Sequence, residues 1–165
     1  MSEDLINLIT KQVKGYDFAY ITSDFRGFYK NAYFNNKNNF LLKLIKEFKR
    51  INVTVIIPTY SYTSKGKFFV NSTKSNLGVL TTWALNQKGI IRSDHPLFSI
   101  VAIGDQKKIA TNLGKSAFGT NSIFDKLYQN NSCLLQIGRP LELGNTSIHY
   151  VEQMCGAFYR YNKIF

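Results

Sequence analysis

His149 and Glu152 form the pair with the clearest capacity for chemistry in this sequence. Glu152 follows His149 by three residues, so the two side chains share one face if the segment is helical. Asn145 and Thr146 are both suitable N-cap residues, which would place His149 in the first turn of that helix. The positive end of a helix dipole disfavours protonation of an imidazole, whereas a neighbouring carboxylate favours it and orients the ring. The spacing therefore indicates a tunable base near pH 7.

Purely structural interpretations of both histidines stay open. The spacing of His149 and Glu152 also fits an ordinary capped helix with a solvated glutamate and a half-buried histidine. The other histidine, His95, lies in the segment Arg92-Ser93-Asp94-His95-Pro96. A residue before proline favours extended backbone, so His95 marks the entrance to a strand. Its structural alternative is a loop histidine that is hydrogen-bonded to the backbone.

Other kinds of reactive site lack their sequence patterns. The two histidines and the two cysteines, Cys133 and Cys155, show none of the usual spacings of zinc ligands. Two buried free thiols are expected rather than a disulfide. The chain has no GxSxG nucleophile elbow, and it has neither GxxxxGK[ST] nor GxGxxG for phosphate binding. A zinc enzyme and a serine hydrolase are therefore not favoured.

An alternation of strands and helices must position these residues. Apolar residues at helical spacing or in short β-branched runs predict helices at residues 5–13, 40–48, 78–87, 122–129 and 146–154. The predicted strands are 18–21, 53–57, 98–103 and 133–137. This order predicts an α/β fold, a three-layer sandwich whose mostly parallel central sheet is flanked by helices. We expect one domain over residues 1–165, and we expect the long loop Thr59 to Asn76 to contribute to the site.

Charge is the most informative property of the composition. The 165 residues include 21 Lys and Arg against 10 Asp and Glu, which gives a formal net charge of +11. Such a surface favours anionic partners such as nucleic acid, CoA or a nucleotide-linked sugar. Lysines alternate with aromatic residues between Tyr60 and Phe69, as in a stacking platform for nucleic acid. No apolar run is long enough to span a membrane and no secretory signal is evident, so the cytoplasm is the expected location.

Five segments, taken in chain order, resemble the aminoglycoside 3-N-acetyltransferase family, which includes members that modify sugars. They are Ala19-Tyr20-Ile21-Thr22-Ser23, Val55-Ile56-Ile57-Pro58-Thr59-Tyr60, Ser75-Asn76-Leu77-Gly78, the segment from Arg92 to Ser99, and the segment from Asn145 to Glu152. The resemblance covers most of residues 17–163, and the last two segments are the most specific.

The resemblance implies an N-acetyltransferase that moves an acetyl group directly from acetyl-CoA to an amine, with no metal. His149 matches the general base, which is needed because an ammonium ion cannot attack a thioester, and Glu152 would assist it. Thr22, Ser23 and Ser75 would approach the CoA co-substrate. The residues expected around the acceptor are Arg92, His95, Asn145 and Thr146.

Family members continue beyond the point that corresponds to Phe165 and supply an acidic partner for the histidine. The resemblance thus implies either that Glu152 does this work or that another subunit completes the site in a homo-oligomer.

The charge also bears on the acceptor. Aminoglycosides are polycations and require an acidic cleft, whereas a net charge of +11 favours an amino sugar that carries phosphate, such as a nucleotide-linked sugar or a surface-polysaccharide precursor. An aminoglycoside antibiotic is the alternative acceptor. The alternatives of another class are a non-enzymatic nucleic-acid-binding domain, which the thin stacking pattern makes the weaker interpretation, and an inactive remnant of the family.

Overall fold

Five α-helices and five strands are defined in the computed structural model, which describes residues 2–27, 36–63, 66–140 and 143–161. The helices are α1 (Ser2–Val13), α2 (Lys37–Arg50), α3 (Val79–Leu85), α4 (Ile123–Tyr128) and α5 (Ile148–Met154). The strands are β1 (Phe18–Ser23), β2 (Thr54–Pro58), β3 (Ile91–Arg92), β4 (Ile100–Ile103) and β5 (Ser132–Ile137). A short 3-10 helix covers Lys107–Ala110. The predicted helices and strands lie at these places, and β3 is an addition.

The sheet is mixed, so the prediction of a mostly parallel sheet was wrong in this respect. The strand order is β3-β4-β2-β1-β5. β1 pairs in parallel with β2 and β5, while β4 is antiparallel to both β2 and β3. Only seven residues, 93–99, connect β3 to β4. A connection this short brings the chain straight back, which forces antiparallel pairing, and β4 is inserted between β3 and β2.

Alternate residues of the strands belong to two different apolar clusters. One cluster joins strand residues such as Ala19 and Val55 to the buried sides of α1, α2 and α3. The other joins Tyr20 and Ile56 to the 3-10 helix, to α4 and to Tyr150 of α5. This is the two-residue alternation expected of strands that are covered by apolar side chains on both sides. The α/β class is thereby confirmed, and the three-layer arrangement stays a prediction.

A buried carboxylate fixes the position of α5, the helix that contains His149. Asp125 in the first turn of α4 is 5% exposed and accepts a hydrogen bond from the hydroxyl of Tyr150 at 2.9 Å. It also accepts from the backbone N–H of Asn121 and from the side chain of Gln129. Burial, and then the bond to Asp125, raise the pKa of Tyr150 to about 12, so this hydroxyl remains a donor. α5 is therefore attached to α4 beside the sheet.

The two cysteines are free thiols in different surroundings. Cys133 in β5 is half-buried, and its burial raises its pKa to about 11. Cys155 is exposed, so the expectation that both thiols are buried was wrong for this residue. It directly follows the last residue of α5, where the chain faces solvent.

No helix in the described parts of the chain combines the length and the hydropathy that a bilayer span requires.

Candidate functional site

The beginning of α5 sets the geometry of the proposed base. The N-cap residue is Ser147, not Asn145 or Thr146 as predicted. The side-chain oxygen of Asn145 accepts hydrogen bonds from the backbone N–H and the hydroxyl of Ser147. Asn145 therefore stabilises the turn that leads into the helix, because its side chain bonds to the backbone two residues ahead. His149 lies in the first turn of α5, as expected.

His149 and Glu152 are in contact. The distance from Nδ1 of His149 to Oε2 of Glu152 is 3.1 Å. Glu152 is also bound by the hydroxyl of Tyr159 at 3.0 Å and by Nε of Arg160 at 2.9 Å. The bond with His149, then the bond from Tyr159, and the positive charge of Arg160 hold the pKa of Glu152 below its ordinary value. The carboxylate is therefore ionised at neutral pH.

This contact determines which nitrogen of His149 can act as a base. An ionised carboxylate only accepts hydrogen bonds, so Nδ1 of His149 must donate to Glu152. In the neutral ring the other nitrogen, Nε2, then carries the lone pair. None of the described residues forms a hydrogen bond with Nε2. The side chain of His149 is 44% exposed, so Nε2 can be reached by a second molecule.

An aromatic wall connects the two histidines. The rings of Phe98 and Phe118 lie 4.9 Å apart between their centroids. His149 contacts Phe118 at 5.3 Å, and His95 contacts Phe98 at 5.8 Å. The guanidinium of Arg160 lies over Phe118. One side of His149 is thus shielded by apolar rings, which strengthens electrostatic interactions at that side.

His95 is fixed by the backbone. Its Nδ1 accepts hydrogen bonds from the backbone N–H groups of Leu97 at 3.2 Å and Phe98 at 3.1 Å. The proton of the neutral ring therefore lies on Nε2, and a hydrogen bond with the backbone of Lys115 acts to raise the pKa of His95. Burial outweighs the attraction of Asp94 and lowers the pKa of His95. His95 is a neutral histidine that holds the entrance to β4.

The neutral state of His95 makes stability depend on pH. As pH falls below the ordinary pKa of 6.5, the unfolded chain binds a proton at His95 before the folded protein does. Stability should then decrease by up to about 1.4 kcal/mol per pH unit until the lower folded-state pKa is reached. In His95→Asn the amide oxygen can accept the same two N–H groups without titrating. We expect the melting temperature of His95→Asn to fall less than that of the wild type between pH 7.5 and 5.5. Parallel pH profiles would contradict this.

Arg92 fastens the loop after β2 to the edge of the sheet. Its guanidinium donates to the carbonyls of Thr59, Val70 and Thr73 and to the hydroxyl of Ser99. The hydroxyl of Ser75 donates to the carbonyl of Tyr60. Arg92 and Ser75 are therefore engaged with the protein itself, and they act on the site by positioning Thr59, Tyr60 and the loop.

A pocket of about 170 Å³ lies at the carboxyl ends of β1, β2 and β5. Hydroxyl groups, aromatic rings, glycines and one arginine surround it. The lining residues are Ile21, Thr22, Ser23, Ile57, Pro58, Tyr60, Tyr62, Leu77, Gly78, Leu80, Thr81, Arg139, Gly144 and Thr146. The hydroxyl oxygen of Thr22 is buried and has no hydrogen-bond partner among the described residues. One of the residues that line the pocket thus has an unpaired polar atom at the end of β1.

The structure groups the predicted site residues in three places. Thr22, Ser23 and Thr146 line the pocket. His149 and Glu152 lie on α5, which begins two residues after Thr146 and does not itself line the pocket. Arg92, His95 and Ser75 are instead hydrogen-bonded to the backbone of the loop after β2 and of the segment before β4.

Sequence reasoning missed several residues of the site. Arg139 lies two residues after the end of β5, at the same edge as Thr22. The rule that side chains at the carboxyl ends of parallel strands meet could have identified it. The contacts of Phe118 and Arg160 depend on how loops fold over α5, and no spacing in the sequence indicates them.

Only some of the aromatic rings in the segment from Tyr60 to Phe69 are open to solvent. Tyr60 is 4% exposed, and its hydroxyl lies 2.6 Å from that of Tyr20. Phe68 is covered by the guanidinium of Arg92 at 4.9 Å. Tyr62 and Phe69 are exposed. At least two of these rings are therefore occupied by contacts within the protein.

The family model described as aminoglycoside 3-N-acetyltransferase matches residues 32–164. No curated protein matches the chain significantly. Among solved structures, sisomicin-bound AAC-VIa is similar, with a TM-score of 0.76 and 15% identity over 92% of this chain and 64% of that chain. The apoenzyme of the aminoglycoside acetyltransferase AAC(3)-IVa gives a TM-score of 0.74 and 20% identity over 93% and 60%. AAC-IIIb in a binary complex with CoASH gives a TM-score of 0.67 and 16% identity over 90% of this chain and 64% of that chain. The chain thus spans less than two thirds of the length of these three proteins.

Proposed function

Because this chain belongs to the aminoglycoside 3-N-acetyltransferase family, we propose that it transfers the acetyl group of acetyl-CoA to an amine of an aminoglycoside. The observation that carries the proposal is the contact of 3.1 Å between Nδ1 of His149 and the carboxylate of Glu152. This contact leaves Nε2 as the base, on a helix that begins two residues after the pocket residue Thr146.

His149 removes a proton from the acceptor amine at Nε2. An ammonium group has no lone pair, so its nitrogen attacks the acyl carbon only after it has lost a proton to solvent. As the C–N bond forms, His149 takes a further proton from the nitrogen, the C–S bond of the thioester breaks, and the CoA thiolate leaves as a thiol with the proton of the imidazolium. The imidazolium that forms is stabilised by the carboxylate of Glu152, which Tyr159 and Arg160 keep in place. Glu152 thereby supplies the acidic partner that the family resemblance requires.

The pocket residues fit a co-substrate with a polar arm. Acetyl-CoA supplies the acetyl group as a thioester when it is bound. The buried hydroxyl of Thr22 has an unused hydrogen-bonding capacity, and Ser23 lies beside it in the pocket wall. These two residues would hold the co-substrate. Ser75 would contribute indirectly, since it fixes the carbonyl of Tyr60 in the same wall.

The acceptor is proposed to be an aminoglycoside and not the phosphate-bearing amino sugar that the net charge suggested. AAC-VIa, one of the similar structures, has sisomicin bound, which supports an aminoglycoside. Net charge describes the whole surface, while an acceptor responds to the local field. Near His149 the ionised Glu152 contributes negative charge, part of which its ion pair with Arg160 offsets, so the net charge of the whole chain does not predict the field at this point. Arg92 and His95 would act on the acceptor only through the loops that they fix, and Asn145 and Thr146 would bound its place between the pocket and α5.

The test is an acetylation assay of the purified chain. Release of free CoA thiol from acetyl-CoA would be measured with sisomicin, with gentamicin, with a UDP-linked amino sugar and with no amine. We expect kcat/KM for the aminoglycosides to exceed that for the nucleotide sugar by at least about tenfold, because a difference of 1.4 kcal/mol in transition-state binding gives this ratio. Mass spectrometry of the product should show one added acetyl group.

Two results would contradict the proposal. Faster acetylation of the nucleotide sugar would show that the acceptor is wrong. Binding of acetyl-CoA without amine-dependent thiol release would show that the chain is not a transferase.

A further inference from the structure

Arg139 is a charged residue of the pocket with no role so far. It follows the end of β5 by two residues and lies at the carboxyl edge of the sheet, together with Thr22 and Ser23. The side chain is half-buried. It therefore extends along the pocket wall and is not a fully solvated surface arginine.

The guanidinium of Arg139 has no anionic partner in the part of the chain that the structure describes. It forms no hydrogen bond and no ion pair there, although an arginine has five N–H donors. Among the described carboxylates, Asp24 senses the charge of Arg139, and this is the smallest of the effects that act on the pKa of Asp24. Asp24 is already bound by Arg26, whose Nε lies 2.9 Å and 3.0 Å from its two oxygens. A half-buried cation with unused donors is the feature that an anionic ligand would complete.

Gly144 shapes the place of this guanidinium. A Cβ atom on Gly144 would lie 2.5 Å from one terminal nitrogen of Arg139 and 2.8 Å from its central carbon. Gly144 also has a φ of +79°, a conformation that other residues rarely adopt. The planar group of Arg139 thus packs against the backbone of Gly144 at the edge of the pocket. A side chain at position 144 would displace the guanidinium from this place.

The charges of the lining decide which substrate fits. Among the described residues that surround the pocket, Arg139 is the charged one, and none of them has a carboxylate. A polycationic aminoglycoside is repelled by such a wall, whereas a phosphate group can accept two parallel N–H bonds from an arginine. Of the two proposed substrates, only CoA has phosphates.

We infer that Arg139 is the anion-recognition residue of this pocket and that its guanidinium binds a phosphate of the CoA co-substrate. The inference rests on the proposed function, since it identifies the pocket with the co-substrate side of the reaction. The two substrates then bind in different places: a phosphate of CoA binds on the pocket side at Arg139, and the cationic acceptor binds on the side of Glu152.

The experiment compares ligands with and without phosphate. Dissociation constants of CoA, of pantetheine, which has the same thiol arm without phosphates, and of inorganic diphosphate would be measured by calorimetry for the wild type, Arg139→Gln and Arg139→Lys. Hydrogen bonds to charged groups contribute about 1.5–3 kcal/mol, so Arg139→Gln should weaken CoA binding by roughly 10- to 10²-fold. The affinity for pantetheine should not change. The affinity of Arg139→Lys for CoA should lie between those of the wild type and Arg139→Gln.

Two further variants test the position of the charge. Arg50→Gln removes the same charge from the exposed end of α2 and should leave all three affinities unchanged, which controls for net charge. Gly144→Ala displaces the guanidinium while it keeps the charge, so it should also weaken CoA binding. Melting temperatures would show that each variant is folded.

The outcomes distinguish this inference from the proposed function. If Arg139→Gln binds CoA as tightly as the wild type, or loses pantetheine and CoA equally, Arg139 is not a phosphate-binding residue. If the wild type binds diphosphate but not CoA, the proposed function and the assignment of the phosphate to CoA are both wrong. If Arg139→Gln binds CoA and diphosphate more weakly than the wild type but binds pantetheine equally well, the inference is supported.

Discussion

Replacement of His149 with alanine should reduce kcat for aminoglycoside acetylation by about 10²- to 10⁴-fold, because general-base catalysis contributes a factor of this size. The fold should tolerate the change. His149 is partly exposed, and its polar contact is with Glu152, which keeps its bonds from Tyr159 and Arg160. Steady-state kinetics at saturating acetyl-CoA, together with the melting temperature, would measure both effects.

Two companion variants make this prediction specific. His95→Asn changes the other histidine and should keep kcat within about threefold of the wild type, since His95 acts as a fixed backbone acceptor. Glu152→Gln removes the carboxylate but not the base and should have a smaller effect than His149→Ala, as expected of a group that positions the ring. Turnover of His149→Ala at the wild-type rate would exclude His149 as the base.

Replacement of Arg92 with methionine should lower the free energy of unfolding by about 2–4 kcal/mol, which corresponds to roughly 5–15 °C in the melting temperature. Methionine keeps the apolar stem beside Phe68 but has no donors. The carbonyls of Thr59, Val70 and Thr73 would lose their shared partner at the sheet edge. Burial lowers the pKa of Arg92, and a guanidinium group stays protonated in proteins, so the wild-type residue is a cation.

Arg26→Met is the matched control for this prediction. It removes the same group from an arginine whose side chain is 87% exposed and paired with one carboxylate. A surface ion pair contributes at most about 1 kcal/mol, so Arg26→Met should shift the melting temperature by only a few degrees. Thermal unfolding would measure the melting temperatures of both variants. If Arg92→Met and Arg26→Met lower the melting temperature equally, Arg92 does not have the proposed role at the sheet edge.

Local periodicity predicted the helices and central strands well, and it did not predict how they pair. In α2 the buried residues Phe40, Leu44 and Phe48 recur at the spacing of one helix face. In β2 every residue is buried, as its β-branched run indicated. The mixed sheet depends on β3, whose two residues are too few to show a pattern. Strand direction there is set by a short connection and cannot be inferred from the composition of the strands.

The candidate site was predictable to the extent that it depends on spacing within one helix. The contact between His149 and Glu152 follows from their separation of three residues. The roles of Arg92 and Ser75 did not follow, because their partners are carbonyl groups of loops that are distant in sequence. Arg139 required both the position of β5 at the sheet edge and the absence of a side chain at Gly144.

The bond between Tyr150 and Asp125 has a consequence for how this sequence can drift during evolution. α5 has seven residues, which is too short for a helix to persist on its own, so the placement of its histidine depends on α4. A substitution at Asp125 would leave the buried hydroxyl of Tyr150 without a partner, whereas phenylalanine at position 150 would relieve that defect. The two positions, 25 residues apart, should therefore be epistatic: a substitution at Asp125, which also costs the bonds from Asn121 and Gln129, should be less damaging in a background that already has phenylalanine at position 150.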